Sequence, residues 1–182
     1  MKTHKLFVAL LTVLAFGILV ACTKTDQKSP DVSDNVRHAL DQAGLKDVSV
    51  SQDRDKGVVT LSGTVATDDA KSQAESLAKS IAAPQVVANE IAVRPSGSES
   101  EAKAVNTDLD KGIEKNLDAA LIQYKMHDDV KYKVKNGVVT LSGDVNSQHR
   151  RDQAGQVATG VPNVQQVVND VQVKDQKASS SK

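Results

Sequence analysis

Apolar residues along the chain recur at two spacings, which predict a helix followed by paired strands. The helix is indicated by apolar residues at steps of four, four and three, the stripe of an amphipathic helix: Val32, Val36, Leu40 and Ala43. Val48 and Val50 then alternate with polar residues, as in a strand buried on one face. The segment GVVTLSG, residues 57–63, supplies a second strand after a turn at Lys56-Gly57. This order predicts a helix packed on an antiparallel hairpin.

The same pattern returns in the second half of the chain, and this repeat sets the domain count. GVVTLSG recurs at residues 137–143, after a turn at Asn136-Gly137. From this motif to the end of each copy, the two copies align without a gap at a spacing of 80 residues. Upstream the spacing is 77 residues, so the difference in length falls in the loop and first strand. The second copy repeats the helical stripe and the first strand with Leu109, Ile113, Leu117, Ala120, Val130, Tyr132 and Val134. Two copies of one small module are expected.

Each copy continues with a second helix and a third strand. Thr67 and Ser147 can cap the helices, and Pro84 and Pro162 then end them. The apolar runs 86–93 and 167–173 follow as third strands. The predicted fold class is α+β: two tandem α-β-β-α-β modules, each a three-stranded mixed sheet with two helices on one face.

Composition sets the boundaries around these modules. We expect an export signal at 1–21, a tether at 22–29, module 1 at 30–94, a linker at 95–106, module 2 at 107–174 and a disordered tail at 175–182. The linker PSGSESEAKAVN and the tail DQKASSSK combine serine and charge with too few apolar residues for a core.

The N-terminus has the order of a bacterial export signal. Lys2 and Lys5 precede an apolar run from Leu6 to Ala21, and a polar stretch opens after Cys22. A membrane-spanning helix is the alternative, but it needs about 20 apolar residues and this run is shorter. A cleaved leader is therefore the favoured interpretation.

The end of the leader, Leu19-Val20-Ala21-Cys22, resembles the bacterial lipobox. That resemblance implies cleavage before Cys22 and attachment of diacylglycerol to its thiol; the alternative is an ordinary signal peptide that contains a cysteine. Several acyl chains hold a protein firmly on a membrane. Thr23 stands where the sorting pattern has aspartate for inner-membrane retention, which implies the outer membrane, facing the periplasm. Because Cys22 is the sole cysteine, no intramolecular disulfide can stabilise either module.

Composition argues against several classes of partner and site. The chain has 23 basic and 23 acidic residues, so it lacks the basic footprint of a nucleic-acid-binding protein. Tyr124 and Tyr132 are the only aromatic residues after the leader, which excludes extended stacking platforms. No nucleophile with a base, acid pair or metal-ligand motif is present, and the isolated His38, His127 and His149 are more typical of a solvated surface than of ligands. We expect no enzyme activity, cofactor or metal.

The repeat resembles a known family. An α-β-β-α-β order carrying GVVTLSG, then a helix of small apolar residues, then V-x-N-x-[IV]-x-V, is similar in both copies to the BON domain, named from bacterial osmotic-stress and nodulation proteins. The resemblance implies structural rather than catalytic motif residues: Gly57, Gly63, Gly137 and Gly143. Double-BON chains behind a lipobox resemble the outer-membrane lipoproteins of that family, which are linked to phospholipid binding and envelope integrity. Those without one resemble its osmotically inducible periplasmic members.

Module 2 also holds the candidate lipid-binding residues: Tyr124, Lys125, Lys131, Lys133, Lys135, Arg150 and Arg151. By resemblance to a lipid-binding relative, the contact involves the first helix of module 2, where Tyr124-Lys125 is the nearest analogue of an aromatic residue with basic neighbours. Alternation along the strand places Lys131, Lys133 and Lys135 on one face. That face is either a solvated sheet surface or a contact with anionic phospholipid. The competing function is docking of an envelope protein, with the lipid serving only as an anchor.

Overall fold

The computed structural model describes residues 28–174. The export signal at 1–21, Cys22 with most of its tether, and the tail at 175–182 lie outside the described residues. Within the described range, no helix combines the length and the apolar composition needed to cross a membrane.

Module 1 is a sheet covered on one face by two helices. Its elements are α1 (Ser33–Gln42), β1 (Val48–Asp53), β2 (Val58–Val65), α2 (Asp68–Ala82), β3 (Val86–Asn89) and β4 (Ala92–Val93). The central strand β2 pairs antiparallel with β1 and parallel with β3 and β4. The parallel pairing follows from the α2 crossover, which returns the chain to the same end of the sheet.

Module 2 repeats this architecture. Its elements are α3 (Glu99–Gln123), β5 (Val130–Lys135), β6 (Val138–Val145), α4 (Gln148–Thr159) and β7 (Gln166–Val173). The sheet order is β5-β6-β7, with β5 antiparallel and β7 parallel to β6. The predicted fold class, two tandem mixed α+β modules, is confirmed.

The helices close one core in each module. The module 1 core is centred on Val36 and Leu40 of α1, Val59 and Leu61 of β2, and Ala74, Ala78 and Ala82 of α2. The module 2 core is centred on Ile113, Leu117 and Leu121 of α3, Val139 and Leu141 of β6, and Ala154 and Ala158 of α4. Alanine lets the second helix of each module lie close to the sheet. Thr67 and Ser147 cap these helices as predicted, each accepting a backbone N–H three residues on.

Two glycines of the repeated motif meet a neighbouring backbone at close range. Gly63 has φ +115°, and a Cβ there would lie 2.1 Å from the Asp47 carbonyl oxygen. Gly143 has φ +118°, with the Asp129 carbonyl oxygen 2.2 Å from such a Cβ. Gly57 and Gly137 lie in the hairpin turns, also at positive φ. At Gly63 and Gly143 both space and backbone conformation require glycine.

Three expectations about local structure were wrong. The predicted linker is helical from Glu99, because residues 99–106 are mostly good helix formers and Glu99 and Glu101 favour the first turn through the helix dipole. The third strand of module 1 is interrupted between β3 and β4, where the Asn89 side chain accepts the N–H of Ile91. Leu109, expected in the buried stripe, is 44% exposed, because the buried stripe of α3 runs from Ile113 to Leu121.

The two modules pack through the sheet faces opposite their helices. Val58 and Ala88 of module 1 meet Val138 and Val168 of module 2 in a small apolar cluster. Two ion pairs flank it: Lys56 Nζ lies 2.8 Å from Asp170 Oδ2, and Lys135 Nζ lies 2.9 Å from Glu90 Oε2. The hydrogen bond to Asp170 raises the pKa of Lys56.

A glutamine from module 2 completes this contact. The Gln166 side chain accepts the N–H of Asn89 at 3.0 Å and donates to the Val87 carbonyl at 2.6 Å. A single amide thereby satisfies a donor and an acceptor on the outer edge of β3, much as a paired strand would. Edge groups that would otherwise be open for pairing with another chain are covered.

Candidate functional site

The lysine row of β5 lies on the face that packs against module 1. Val130 and Val134 point into the module 2 core, so Lys131, Lys133 and Lys135 point to the opposite side of the sheet. Val138 and Val168 of that same side meet module 1. A second sheet therefore covers part of the face that was expected to be either a solvated sheet surface or a phospholipid contact.

The three lysines have different surroundings. Lys135 is committed to its ion pair with Glu90, whose side chain is only 9% exposed. Lys133 lines a cleft of about 190 Å³ between the two sheets. Lys131, opposite Ser142 on β6, is exposed. Lys131 and Lys133 are exposed, whereas Lys135 is partly exposed and paired with Glu90.

The two arginines of α4 hold the loop that follows α3 and the strand β7. Arg150 donates to the Lys125 carbonyl at 2.6 Å and to the Tyr124 carbonyl at 3.4 Å, and it also lies 3.8 Å from Asp129. Arg151 donates to the Asn169 carbonyl of β7 at 3.4 Å, while its own carbonyl accepts from the Asn169 amide. Carbonyl groups at a helix C-terminus lack intrahelical partners, so Arg150 satisfies them. Both guanidinium groups therefore have a structural role, since each donates to backbone carbonyl groups of module 2.

The end of α3 exposes two large apolar side chains, and a lysine follows them in the chain. Tyr124, the C-terminal capping residue, is 45% exposed, and Ile122 is 56% exposed. Lys125 follows at φ +54° and is exposed, and Met126 then turns back into the core. Ile122 was not among the sequence candidates. The signal that could have found it is an isoleucine directly after the buried Leu121, on the helix face that should be polar.

A groove between α3 and α4 adjoins Tyr124. It has a volume of about 380 Å³ and is lined by Asn116, Ala120, Tyr124, Gln153, Gln156, Val157, Gly160, Val161 and Pro162. Small residues on both helices leave this space open. Its lining is mixed polar and apolar and carries no charged side chain, which suits a neutral or apolar group.

Acidic residues around the loop after α3 engage their own partners. His127 Nε2 lies 3.0 Å from Asp118 Oδ1, and Nδ1 lies 3.6 Å from Asp128. The Tyr132 hydroxyl contacts Asp118 at 3.3 Å, and burial together with the Asp118 charge raises the pKa of Tyr132. Between residues 28 and 174, no group of three histidine, cysteine or acidic side chains converges as a metal site would require.

The lipid-binding candidates therefore fall into two groups. The structure leaves Tyr124, Lys125, Lys131 and Lys133 accessible, and it ties Lys135, Arg150 and Arg151 into contacts within the protein. Tyr124, Lys125 and Lys131 lie at one end of module 2, where α3 ends and β5 begins. With Ile122, this end exposes two apolar side chains and two lysines, and Lys133 lies farther along β5, at the cleft between the sheets. We call Ile122, Tyr124, Lys125, Lys131 and Lys133 the module 2 end surface.

Comparison with known proteins finds relatives of both modules. The BON domain matches residues 29–95 and again residues 109–175. The chain is 33% identical over 145 residues to Osmotically-inducible protein Y of Escherichia coli (strain K12), an alignment that covers 79% of this chain and 71% of that protein.

Two solved structures also align. They are CdsD, a structural protein of the Type III secretion system of Chlamydia trachomatis (TM-score 0.36, 14% identity, 80% of this chain and 93% of that one), and its C-terminal domain (TM-score 0.33, 14% identity, 81% and 100%). The BON match to each module and the identity to Osmotically-inducible protein Y decide the family. The chain belongs to the BON-domain family and carries two BON domains in tandem.

Proposed function

We propose that this chain is a non-enzymatic protein of the bacterial cell envelope that binds anionic phospholipid and acts in osmotic or envelope stress. Lipidation of Cys22 anchors it to the outer membrane, facing the periplasm, and module 2 contacts the membrane surface. The lipobox pattern at residues 19–22 supports the anchor. The 33% identity to a protein named for osmotic induction supports the physiological setting.

The exposure of Ile122 and Tyr124 at the end of α3, next to Lys125 in the chain, is the observation that carries the membrane contact. Exposed large apolar side chains cost free energy in water, and tyrosine favours the boundary between headgroups and acyl chains. A lysine near an anionic leaflet contributes about 1 kcal/mol, so Lys125, Lys131 and Lys133 together supply about 3 kcal/mol. This sum corresponds to a change in membrane partitioning of about a hundredfold.

The test is co-sedimentation of the chain beginning at Thr23, without lipid, with vesicles of anionic or of zwitterionic phospholipid. We expect binding to anionic vesicles that falls between low and moderate salt, because screening weakens exposed charges. Replacing Lys125, Lys131 and Lys133 by glutamine should lower binding by about a hundredfold at low salt. Ile122→Ser with Tyr124→Ser should lower binding at every salt concentration, since apolar insertion is not screened.

The matched control replaces three other exposed lysines, Lys46, Lys103 and Lys115, by glutamine. This control has the same net charge as the triple variant of the module 2 end surface and should bind like the native chain. Equal loss in both triple variants would mean that net charge, rather than this surface, governs binding. Absence of native binding to either vesicle would reject phospholipid recognition and leave Cys22 as the membrane contact.

The groove between α3 and α4 favours a second candidate function, docking of an envelope protein. Its uncharged lining fits an apolar side chain of a partner better than a phosphate headgroup. In that case the lipid on Cys22 would serve only for location. Salt-insensitive capture of one protein, abolished by Val157→Arg in the groove and unaffected by the lysine variants, would favour this function over lipid binding.

A further inference from the structure

The contact between the modules is reciprocal. Val58 and Ala88 correspond, 80 residues on, to Val138 and Val168, and all four meet in one cluster. Lys56 corresponds to Asn136, and Glu90 to Asp170. Lys56 contacts Asp170, and in the equivalent place the Asn136 amide donates to the Glu90 carbonyl at 2.7 Å. Module 1 therefore presents to module 2 nearly the surface that module 2 presents to module 1, as in a two-fold symmetric dimer.

A reciprocal contact within one chain can also form between two chains. If the two modules of each chain separate, module 1 of one chain can pack on module 2 of the other. Every contact of the interface then forms again between the chains. The segment that must change is short: residues 95–98 join β4 to α3, with Gly97 at φ +88°. Among the described residues, the hydrogen bonds of this turn stay within residues 95–102, so straightening it leaves both cores intact.

Charge disfavours pairing of module 1 with a second copy of module 1. Lys135 of module 2 contacts Glu90 of module 1, and the residue that corresponds to Lys135 in module 1 is Asp55. Two copies of module 1 packed in the same way would bring Asp55 toward Glu90, a repulsive pair. Pairing of module 1 with module 2 places unlike charges together at both ion pairs. A dimer that keeps the contacts seen within one chain is one of exchange, with each module facing the other kind.

We propose that two copies of this chain form a dimer by reciprocal exchange of modules through the sheet faces that carry the Lys56–Asp170 and Lys135–Glu90 pairs. A short linker holds its own modules at an effective concentration in the millimolar range, so the closed monomer prevails in dilute solution. Exchange becomes competitive where the local concentration of chains is similarly high. The proposal does not depend on lipid binding.

The experiment uses two complementary variants of the chain beginning at Thr23. The first carries Lys56→Glu and Lys135→Glu, and the second carries Glu90→Lys and Asp170→Lys. Within each variant, both ion pairs become repulsive, in the monomer and in a dimer of that variant alone, because only one partner of each pair has changed sign.

In a mixed dimer, all four pairs are again attractive. At one interface, module 1 of the first variant packs on module 2 of the second variant. Both residues of the 56–170 pair then have reversed charge, and both residues of the 135–90 pair are native. At the other interface, Lys56 and Asp170 are both native, and the two residues of the 135–90 pair are both reversed. Opposite charges therefore meet at every pair of the mixed dimer and at none in the separate variants.

We expect light scattering after size exclusion, at about 50 µM, to show a monomer for each variant alone and twice that mass for the equimolar mixture. This concentration is far below the effective concentration of linked modules, so the native chain should remain monomeric. The control pair reverses exposed charges elsewhere, Lys46→Glu with Lys103→Glu and Asp41→Lys with Glu101→Lys, and should stay monomeric on mixing.

A mixture that remains monomeric, with circular dichroism showing both variants folded, overturns the proposal. Dimers that form as readily from one variant as from the mixture also overturn it, because another surface would be responsible. If a charge-reversed chain fails to fold, deletion of Gly97 and Ser98 provides the second test. Shortening the turn obstructs closure within one chain and leaves every interface residue in place, so the deletion variant should be dimeric at the same concentration, and a monomeric deletion variant would overturn the proposal.

Discussion

At the residue scale, single atoms decide whether the repeated motif can form. At Gly143 a hydrogen atom stands where the Cβ of any other residue would collide with the Asp129 carbonyl oxygen. In module 1, a Cβ at Gly63 would collide in the same way with the Asp47 carbonyl oxygen. The repeated glycine thus marks the point where the second strand crosses the loop that leads into the first. This close approach explains why both copies of the motif end in glycine.

Gly143→Ala tests this explanation. The added methyl group would lie 2.2 Å from the Asp129 oxygen, at a φ that alanine disfavours, so we expect the free energy of unfolding to fall by about 2 to 4 kcal/mol. Urea unfolding followed by circular dichroism measures it. The control is Gly112→Ala in α3, where no neighbouring atom lies within 4 Å and helix propensity predicts a gain of up to about 1 kcal/mol. Equal stabilities would refute the close contact.

Cys22 carries a second prediction at this scale. If Cys22 is the lipidated residue, cells fed labelled palmitate should incorporate the label into the native chain and not into Cys22→Ser, because serine has no thiol to accept the lipid. Gel separation of the immunoprecipitated proteins gives the measurement. Label retained by the Cys22→Ser chain, or absent from the native one, would reject lipidation at this residue.

At the scale of elements, α2 is fixed to β3 by a polar contact as well as by alanine packing. Glu75 of α2 accepts from the Asn89 amide of β3 at 2.9 Å and pairs with Lys79 in its own helix. Burial opposes ionisation of Glu75, but the hydrogen bonds from Lys79 and Asn89 outweigh it and lower the pKa of this carboxyl. The equivalent position in module 2 is Gly155, which lies against the Asn169 amide. The two modules therefore make the equivalent contact between the second helix and the third strand with different residues.

This lowered pKa predicts how acid affects module 1. A carboxyl whose pKa is lower in the folded than in the unfolded chain stabilises the fold above its ordinary pKa of 4.5, and that stabilisation is lost as the pH falls through the folded-state value. The native chain should therefore exceed Glu75→Gln in stability at pH 7, and the difference should shrink below pH 4.5. Urea unfolding from neutral to acidic pH measures this, with the exposed Glu101→Gln as control. A difference that stays constant across this range would contradict the assignment.

At the scale of the whole molecule, the modules form a pair joined by few but well-placed contacts. The apolar cluster is centred on only four residues, so the two ion pairs and the Gln166 side chain contribute much of the specificity. Asp170 and Glu90 keep side-chain exposures of 10% and 9%, and breaking either pair would leave a largely buried carboxylate without its cation. The pair should consequently act as one unit at neutral pH.

Val168→Asp tests whether the modules act together. An aspartate in the cluster would place a third carboxylate near Asp170 and Glu90, so we expect the modules to separate while each keeps its own core. Calorimetry should show one unfolding transition for the native chain and two for the variant. The control is Val105→Asp, on the exposed first turns of α3. A single transition in Val168→Asp, at the native temperature, would mean that the cluster does not couple the modules.

The modules were predictable from the amino-acid pattern alone, because their signals are local or repeated. Apolar spacing fixed the helices and strands, Thr67 and Ser147 marked helix starts, and the two GVVTLSG segments marked the central strands. Such features depend on residues within a few positions of one another, so periodicity and residue type are enough to predict them. Tyr124 and Lys125, by contrast, became candidates through resemblance to a lipid-binding relative.

What the outer face of each sheet contacts was not predictable from the sequence and became clear from the folded chain. Glu90 and Lys135 meet across the modules, as do Lys56 and Asp170, although each pair is far apart in the chain and no periodicity relates its members. Alternation along β5 showed which lysines share a face, but whether that face meets water, a membrane or another sheet depends on the packing of whole modules. The contacts of Arg150 and Arg151 and the exposure of Ile122 depend on how helices and strands pack within module 2, because burial is a property of the folded surface.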